Sequence, residues 1–511
     1  MDSKQLLLGT LFSDLQHTDN GAWCSQVVTG IKEDSRSIAP GDIFVARDGE
    51  SFKGSDYIDA AISQGAVAVL VEKTTARQSV VDTNQYQVPV IAIENMAMEL
   101  GSIAATVFHN VITKLNIIGI TGTNGKTSCA HYLAQALNSL GVNTYIIGTL
   151  GNGHPQDLRS ASRTTPDACS LQQLFAQFYA NGAKTVVMEV SSHALEQGRV
   201  QGVPFNLVAY TNLSQDHLDY HGTMQAYAAA KAKLFSQFNA KHCILNLDDP
   251  YNRDLYQQLG QSQPDTLVSY SETLASDADF IAQNIDLQQG LNFTLHQGAS
   301  TTAISSVLLG KFNVANLLLC IAALSRLSYS AAQIQRSISA LIPVPGRMQK
   351  VALTNVADEP LCVVDYAHTP DALEKALQAS RVHTQGKLLV VFGCGGDRDT
   401  GKRALMANIA ERFADTVIVT SDNPRSENPD AIIEMISAGF SAAYKYRIEA
   451  DRKSAIEFAV NTAQVGDVVL VAGKGHEDYQ EIMGIKQYFL DEEVVLAALK
   501  QKHLRHGGVA K

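Results

Sequence analysis

A glycine-rich segment between an apolar strand and an amphipathic helix is the strongest chemical signal in the sequence. The run KLNIIGI, which begins at Lys114, leads into TGTNGKTS and then into CAHYLAQALNSLG, whose apolar residues recur at helical spacing. Backbone N–H groups at the start of such a helix, together with the helix dipole, form a cradle for phosphate oxygens. The pattern therefore predicts a phosphate-binding loop.

Two side chains of this loop have expected roles in holding ATP. Lys126 is expected to reach the β and γ phosphates, and Thr127 to place its hydroxyl on Mg²⁺. The match to G-x-x-x-x-G-K-[ST] is imperfect, because Ile120 stands where the first glycine is expected. The plain alternative is a strand, turn and helix without a ligand. The predicted ATP-binding residues of the loop are Gly122, Thr123, Asn124, Gly125, Lys126, Thr127 and Ser128.

The elements that must position this loop alternate between strands and helices. Apolar strands such as KTVVMEV and NLVAYTNL follow the loop and alternate with helical stretches, which predicts a mainly parallel central sheet covered on both faces. Short apolar strands before the loop predict a small N-terminal α/β domain. Beyond the Pro-bracketed segment at 341–348, a further alternation predicts a doubly wound, Rossmann-like C-terminal domain. The expected fold class is therefore α/β with three domains, at 1–97, 98–343 and 344–511.

Composition narrows the function classes. The 511-residue chain has 45% hydrophobic and 18% charged residues, which is ordinary for a globular protein that stays out of the membrane. Its N-terminus lacks the pattern of a secretory signal, so we expect a cytoplasmic location. The net charge of -11 argues against general binding to nucleic acid. Seven scattered cysteines, none in a C-x-x-C pair, predict neither a disulfide framework nor a thiolate zinc site.

Several segments, in order, resemble the Mur ligase family and the similar folylpolyglutamate synthetases. They are TGTNGKT (121–127), MEVSSHAL (188–195), TNLSQDHLDYHG (211–222), the AAK that ends at Lys231, GKFNVANLL (310–318), PGRM (345–348), VDYAHTPDAL (364–373), GCGGDRDTGKR (393–403) and SDNPRSENP (421–429). In the Mur ligases, D-N-P-R marks members that add meso-diaminopimelate, whereas lysine-adding members differ there. A folylpolyglutamate synthetase is expected to lack both D-N-P-R and a uridine-binding N-terminal domain, and this chain has segments for both.

The resemblance implies an ATP-dependent ligase that joins an amino acid to a nucleotide-linked peptide carboxylate through an acyl phosphate. The expected partners are small molecules: ATP, meso-diaminopimelate and UDP-N-acetylmuramoyl-L-alanyl-D-glutamate. It implies a uridine site in 1–97, an ATP site in 98–343 and an amino-acid site in 344–511. It also implies Mg²⁺ as cofactor, a monomer, and neither nucleic acid nor membrane as partner.

By resemblance, five residues form the catalytic and metal-binding group. Lys126 acts on the phosphates, Glu189 and His217 are metal ligands with Thr127, and Lys231 is carbamylated so that its added carboxylate organises a second Mg²⁺. Glu189 and His217 both follow strands, so they are expected at the carboxyl edge of the sheet. Considered alone, a glutamate at a strand end is as often a solvated or capping residue, and Lys231 is as often a helix-surface lysine.

The resemblance also extends to the rest of the nucleotide site. The further ATP-contacting residues that it implies are Asn316, Arg347, Asp365, Tyr366 and His368. Arg347 follows Pro-Gly at the second domain boundary, which suits an arginine brought in by domain closure to stabilise the transferring charge. A structural salt bridge at the boundary is the alternative.

Two more residue sets follow from the resemblance. The expected muramoyl-peptide contacts are Ser35, Glu50, Ser51, Phe52, Thr164, Thr165, Ser191, Gln197 and Arg199. Glu50, Ser51 and Phe52 differ in type from the family residues, and Arg163 stands where close relatives often have asparagine. The expected diaminopimelate contacts are Arg398, Asp422, Asn423, Pro424, Arg425, Gly473 and Glu477.

Arg425 is the residue on which acceptor choice depends. Diaminopimelate carries one carboxylate more than lysine, and a guanidinium offers that carboxylate a bidentate fork, while Asp and Glu side chains take the distal ammonium. The plain alternative is that D-N-P-R is only a proline turn after a strand. Two further readings stay open, a nucleotide-dependent switch without amino-acid turnover and a scaffold protein, although a scaffold would leave the phosphate loop unexplained.

Overall fold

The computed structural model describes residues 5–13, 23–49, 53–73, 80–81, 86–273, 277–288, 290–353 and 359–505, with the backbone alone at 80–81. The chain forms two compact units. The first unit contains 1–121, 141–208 and 230–243, and the second contains 122–140, 209–229 and 244–511. The three domain boundaries expected from the sequence remain predictions.

The N-terminal part of the first unit is a small α/β layer structure. Its elements are β1 (Leu6–Leu7), α1 (Leu8–Leu11), β2 (Val27–Val28), β3 (Gly30–Lys32), β4 (Asp42–Ala46), α2 (Ile58–Ser63), β5 (Ala68–Glu72), β6 (Val80–Val81), β7 (Val90–Ile93) and α3 (Met96–Val107). The sheet has the order β3-β4-β5-β7-β6 and is parallel except for β6. Apolar clusters lie on both of its faces, which explains why its strands are almost continuously apolar.

The central part of the chain alternates strands and helices around the glycine-rich loop. Its elements are β8 (Asn116–Thr121), α4 (Lys126–Ser139), β9 (Thr144–Gly148), β10 (Gly151–His154), β11 (Asp157–Arg159), α5 (Ala168–Ala180), β12 (Thr185–Glu189), α6 (Ser192–Glu196), β13 (Phe205–Tyr210), α7 (Leu218–His221), α8 (Met224–Ser236), β14 (His242–Asn246), α9 (Pro250–Gly260), β15 (Leu267–Ser271), β16 (Phe280–Asp286), β17 (Leu291–Gln297), β18 (Ser300–Ser306), α10 (Phe312–Arg326) and α11 (Ala331–Ser339).

In the first unit, parallel strands bring chemically important residues to one edge. β12 lies between β9 and β8 and pairs with both in parallel, and Glu189 at its end is opposite Ile120 of β8. β8 ends at Thr121, directly before the glycine-rich loop. Because carboxyl ends of parallel strands share one sheet edge, Glu189 and Thr121 lie at the same edge. The predicted parallel sheet is confirmed for these strands.

The strands β16, β17 and β18 of the second unit form an antiparallel meander that the sequence analysis did not describe. β17 and β18 pair from Leu291 opposite Ser306 to Gln297 opposite Ser300, and Gly298 in the two-residue connection has a φ of +56°. Such a short connection permits only antiparallel pairing. Alternate residues of β17 are buried, as expected for a sheet with one face on the core.

The C-terminal part of the second unit is the predicted doubly wound sheet. Its elements are β19 (Gln349–Val351), β20 (Leu361–Asp365), α12 (Pro370–Val382), β21 (Leu388–Phe392), α13 (Gly401–Phe413), β22 (Thr416–Val419), α14 (Pro429–Ser437), β23 (Arg447–Ile448), α15 (Arg452–Thr462), β24 (Val468–Ala472), β25 (Tyr479–Ile482), β26 (Ile485–Tyr488) and α16 (Asp491–Arg505). The sheet order is β19-β20-β24-β21-β22-β23, with only β19 antiparallel, and apolar cores cover both faces.

Helix length bears on membrane insertion. The longest helices, α10 and α16, have 15 residues each. Within the described ranges, none of the helices combines the length and the apolar character needed to cross a bilayer. All seven cysteines are free, and six are buried, consistent with the expectation that they are small apolar core residues rather than a disulfide framework.

Candidate functional site

The glycine-rich loop leads into α4 through two backbone positions that only glycine adopts easily. Gly122 has a φ of +141° and Gly125 a φ of +88°. A Cβ atom at Gly125 would stand 2.6 Å from Oδ1 of Asn316. Lys126 Nζ donates to the carbonyl oxygens of Gly122 at 2.8 Å and of Thr123 at 3.0 Å, so the ammonium lies over the loop. This is the geometry of a phosphate cradle at the amino end of a helix.

Side chains from other segments of the second unit fix the loop. The backbone N–H of Asn124 donates to Oδ1 of Asn212 at 3.0 Å, and its carbonyl accepts from Thr211 Oγ1 at 2.6 Å. The Asn124 side-chain amide donates to Oδ2 of Asp371 at 2.8 Å. Asp371 is absent from the sequence-predicted site residues, although it lies in the quoted VDYAHTPDAL segment.

Arg347 contacts the loop from the C-terminal part of the same unit. Its Nη2 donates to Oγ1 of Thr127 at 3.3 Å, and its guanidinium carbon lies 4.3 Å from the ring centre of Tyr366. Asp365 is buried and accepts from the backbone N–H of Met348 at 2.6 Å. Burial raises the pKa of Asp365 to about 6, although Arg347 acts in the opposite direction. The structure thus brings Thr127, Arg347, Asp365 and Tyr366 together, as the nucleotide-site prediction requires.

His368 and Asn316 also lie in this group. Burial lowers the pKa of His368 to about 4, so the ring is neutral at pH 7, and its Nδ1 lies 2.9 Å from the carbonyl oxygen of Tyr366. Asn316 donates to Oδ1 of Asn313 at 2.8 Å and accepts a weak hydrogen bond from Cys129 of α4. Asn316 therefore braces the first turn of the helix that follows the loop.

Glu189, in the first unit, is fully buried rather than solvated, so the alternative of a solvated strand-end residue is wrong. Its Oε1 accepts from the backbone N–H of Thr149 at 2.8 Å and its Oε2 from the Thr149 hydroxyl at 3.1 Å. Thr149 was not predicted from the sequence, because it follows β9 and carries no motif of its own. The carboxylate is held rigidly at the sheet edge, as a metal ligand must be.

Five predicted muramoyl-peptide residues of the first unit cluster at the carboxyl end of β12. Thr165 Oγ1 donates to the Glu189 carbonyl at 2.9 Å and accepts from the backbone N–H of Ser191 at 3.0 Å. Arg199 Nη1 donates to the Thr165 carbonyl at 3.0 Å, and Arg199 Nε donates to Oε1 of Gln197 at 3.0 Å. The hydroxyls of Thr164 and Thr149 lie 3.1 Å apart, which joins Thr164 to the same group.

Of the predicted uridine-site residues near the N-terminus, the structure describes Ser35 but not residues 50–52. Ser35 is buried and begins a short 3-10 helix after β3. Glu50, Ser51 and Phe52 lie outside the described residues. Glu33, two residues before Ser35, has its pKa raised to about 7 by burial and by Asp167.

Lys231 and His217 occupy very different surroundings. Lys231, on α8, is only 1% exposed, so the alternative of a helix-surface lysine is wrong. His217 has a left-handed φ of +53° at the start of α7, its side chain is 44% exposed, and its Nε2 lies 3.4 Å from Oδ2 of Asp216. Burial by itself would raise the pKa of Asp216, but His217 and the ammonium groups of Lys402 and Lys126 help to lower it overall. Asp216 was not predicted from the sequence.

The predicted amino-acid site is built at the carboxyl edge of the C-terminal sheet. Asn423 Nδ2 donates to Oε2 of Glu477 at 2.7 Å. Asp422 packs so closely on Gly473 that a Cβ atom there would stand 2.4 Å from Oδ2 of the aspartate. Burial raises the pKa of Glu477, and Asp422 adds to that shift. The two acids, the amide and the glycine therefore form one group.

Arg425 is held by a β-hairpin formed by β25 and β26. Its φ is +52°, its N–H donates to the Glu481 carbonyl at 3.0 Å, and its own carbonyl accepts from the N–H of Met483 at 2.6 Å. Its Nη1 donates to the Gly396 carbonyl at 2.7 Å. Both the backbone and the guanidinium of Arg425 are therefore anchored. Arg398, also predicted here, lies in the same glycine-rich loop as Gly396 and donates to the carbonyl of Asp397 at 3.2 Å.

Lys474 is a buried cation of this site that the sequence analysis missed. Its Nζ donates to the carbonyl of Tyr479, lies 3.4 Å from Oδ1 of Asn423 and 3.5 Å from Oε2 of Glu477. Burial lowers the pKa of Lys474, against the pull of Asp422 and Glu477. The sequence signal that could have identified Lys474 is its position between Gly473 and Glu477, which were both predicted to contact the amino acid.

Comparisons with known proteins cover nearly the whole chain. Three family profiles match: "Mur ligase family, catalytic domain" at 27–107, "Mur ligase middle domain" at 120–324 and "Mur ligase, glutamate ligase domain" at 346–475. A UDP-N-acetylmuramoyl-L-alanyl-D-glutamate--2,6-diaminopimelate ligase of Chromobacterium violaceum is 46% identical over 471 residues, 92% of this chain and 94% of its own. A protein of the same name from Pseudomonas syringae is 44% identical over 484 residues, covering 94% and 96%. A solved structure of a ligase with that name has a TM-score of 0.70 at 36% identity and covers 98% of this chain and 99% of its own.

Proposed function

The chain belongs to the Mur ligase family, and from that membership we propose that it adds meso-diaminopimelate to UDP-N-acetylmuramoyl-L-alanyl-D-glutamate. The bond formed is an amide between an amino group of diaminopimelate and the side-chain carboxylate of D-glutamate, with release of ADP and phosphate. This reaction belongs to the synthesis of peptidoglycan precursors, on which cell shape and division depend.

One observation carries the choice of acceptor. The guanidinium of Arg425 and the acidic pair Asp422 and Glu477 converge on a single sheet edge, in loops that follow β22 and β24. An amino acid whose far end bears both a carboxylate and an ammonium matches such a combination of charges. Lysine would offer a cation to Arg425 and leave the guanidinium without a carboxylate. This favours diaminopimelate over lysine by roughly 2–5 kcal/mol.

The chemistry requires activation of a carboxylate. Transfer of the γ-phosphoryl group of ATP to the glutamate carboxylate gives an acyl phosphate, and the amine then attacks the carbonyl carbon and displaces phosphate. Phosphoryl transfer depends on positioning and charge stabilisation more than on covalent help. In this proposal the loop N–H groups and Lys126 bind the phosphates, and Arg347 stabilises the charge that develops. Asn316, Asp365, Tyr366 and His368 orient the nucleotide.

The side chains proposed to bind magnesium form a suitable donor set. The Thr127 hydroxyl, the Glu189 carboxylate and a carbamate on Lys231 are hard oxygen donors, and His217 adds an imidazole. When bound, Mg²⁺ neutralises charge on the phosphates. Carbamylation would turn Lys231, which is only 1% exposed, from a cation that repels Mg²⁺ into an anionic oxygen ligand that pairs with it.

The nucleotide-linked peptide is proposed to bind to the first unit. Thr164, Thr165, Ser191, Gln197 and Arg199 form a hydrogen-bonded group there, and Arg199 suits a carboxylate or phosphate. Ser35, together with 50–52, is proposed to bind the uridine end. We further propose that the protein works in the cytoplasm as a monomer, with small molecules as its only partners.

The decisive experiment measures ADP release in the presence of UDP-N-acetylmuramoyl-L-alanyl-D-glutamate, with meso-diaminopimelate, L-lysine or no amino acid. We expect turnover only with diaminopimelate. Strong turnover with lysine would overturn the role given to Arg425, and ATP turnover unaffected by either amino acid would favour a nucleotide-dependent switch. Lys126→Met should abolish turnover, whereas Lys453→Met, which removes an exposed lysine of α15, should not change it.

A further inference from the structure

Arg452 and Asp491 form a fully buried ion pair in the C-terminal part of the second unit. Each side chain is 0% exposed, and each is the first residue of a helix, α15 or α16. Arg452 donates from Nε to Oδ1 at 2.8 Å and from Nη2 to Oδ2 at 2.7 Å. Burying two charges costs so much solvation that such a pair is weak evidence for a purely stabilising role.

The rest of the guanidinium binds two backbone carbonyls. Nη1 donates to the carbonyl of Ser421 at 3.4 Å, and Nη2 donates to that of Ala472 at 3.1 Å. Ser421 directly precedes Asp422, and Ala472 directly precedes Gly473. One side chain therefore connects the bases of both loops that carry the proposed diaminopimelate contacts.

The sheet cannot make this connection by itself. The loops follow β22 and β24, and β21 lies between these strands in the sheet order, so no ladder hydrogen bond joins them. Yet the loops meet beyond the strand ends, where Asp422 packs directly on Gly473. A rigid side chain with several donors is what spans such a gap.

We propose that Arg452, oriented by Asp491, is a positioning residue of the amino-acid site. It sets the separation of the loop at Asp422 and Asn423 from the loop at Gly473 and Glu477, and so the spacing of the groups that receive diaminopimelate. The inference rests on the proposed function. Arg452 hydrogen-bonds Asp491, Ser421 and Ala472, none of which is a proposed ATP contact, so we expect the larger effect at the amino-acid site.

The test compares steady-state kinetics of three variants with the wild type. Arg452→Met combined with Asp491→Leu removes both charges and leaves no lone buried ion, so the fold is expected to survive. Arg452→Lys keeps the charge but cannot reach four oxygens at once, and it serves if the double variant is unstable. The control is Arg381→Met, because Arg381 also binds an aspartate, Asp415, and a backbone carbonyl, that of Phe413, but away from both loops.

The expected result is a KM for meso-diaminopimelate raised roughly tenfold or more in both Arg452 variants. The KM for ATP should stay within about twofold, and Arg381→Met should leave both constants unchanged. An unchanged KM for diaminopimelate in folded Arg452→Lys would overturn the inference. An equal impairment of the kinetics with diaminopimelate and with ATP, accompanied by a lower thermal unfolding temperature, would also overturn it. If the wild type itself shows no diaminopimelate-dependent ADP release, the proposed function fails first and the inference fails with it.

Discussion

Replacing Gly125 by alanine tests the phosphate-binding loop most directly. An L-residue at its φ of +88° costs about 1–2 kcal/mol. The new Cβ would also stand 2.6 Å from Oδ1 of Asn316, whose side chain bonds Asn313 and Cys129. Moving that side chain would sacrifice two hydrogen bonds at about 1 kcal/mol each. The total cost of the substitution, about 3–4 kcal/mol, is localised at the loop and the residues that begin α4.

Gly141 provides a matched control beyond the other end of the same helix. Its φ is +84°, but a Cβ atom there would meet nothing within 4 Å, so Gly141→Ala should cost only the backbone strain of about 1–2 kcal/mol. We expect Gly125→Ala to weaken ATP binding at least tenfold, about 1.4 kcal/mol, and Gly141→Ala to leave it unchanged. Calorimetric titration with ATP and thermal unfolding of both variants measure the two effects. Equal ATP affinities would refute the assignment of this loop.

Three further outcomes are expected. Arg425→Ala should weaken the binding of meso-diaminopimelate by about 2–5 kcal/mol, measured as a rise in its KM, and an unaltered KM would contradict the place of Arg425 in the amino-acid site. Lys231→Ala should lose most activity and regain part of it with a short carboxylic acid or excess bicarbonate, whereas a fully active variant would rule out the carbamate. Burial raises the pKa of Glu272 from its usual 4.5 to about 7, with Lys311 at 3.8 Å opposing. Since the folded state then holds the proton more tightly than the unfolded state, protonated Glu272 contributes on the order of 3 kcal/mol to the free energy of unfolding. This contribution is fully present below pH 4.5 and is lost as the pH rises through 7. Thermal unfolding of Glu272→Gln between pH 4.5 and 8 should therefore show a shallower decline than the wild type, and parallel curves would contradict the shift.

Candidate site residues within continuous motifs can be identified from the sequence. Lys126 and Thr127 follow a strand and two glycines, and the structure places both glycines at positive φ. The D-N-P-R segment was identified from its letters, and it lies beside Glu477 as expected. In these cases the chemistry depends on neighbouring residues, so the local sequence carries the signal.

Residues that act through distant contacts were missed. Asp371 binds Asn124 across 247 residues of chain, and Arg452 reaches Asp491 across 39. Thr149 holds Glu189 from a neighbouring strand end. Thr149 and Arg452 are common residue types without a distinctive neighbour in sequence. Asp371 lies in the quoted VDYAHTPDAL segment, but the sequence does not show that its side chain reaches Asn124.

The sequence by itself determined the α/β class, the alternation of strands and helices around the glycine-rich loop and the family, because apolar periodicity and glycine positions are properties of contiguous residues. Tertiary structure alone decided that Glu189 and Lys231 are buried, that Arg425 is clamped by a hairpin, and that Arg452 bridges two non-adjacent strands. The physical reason is that burial and hydrogen-bond partners depend on how distant segments pack, and neither can be read from a single stretch of chain.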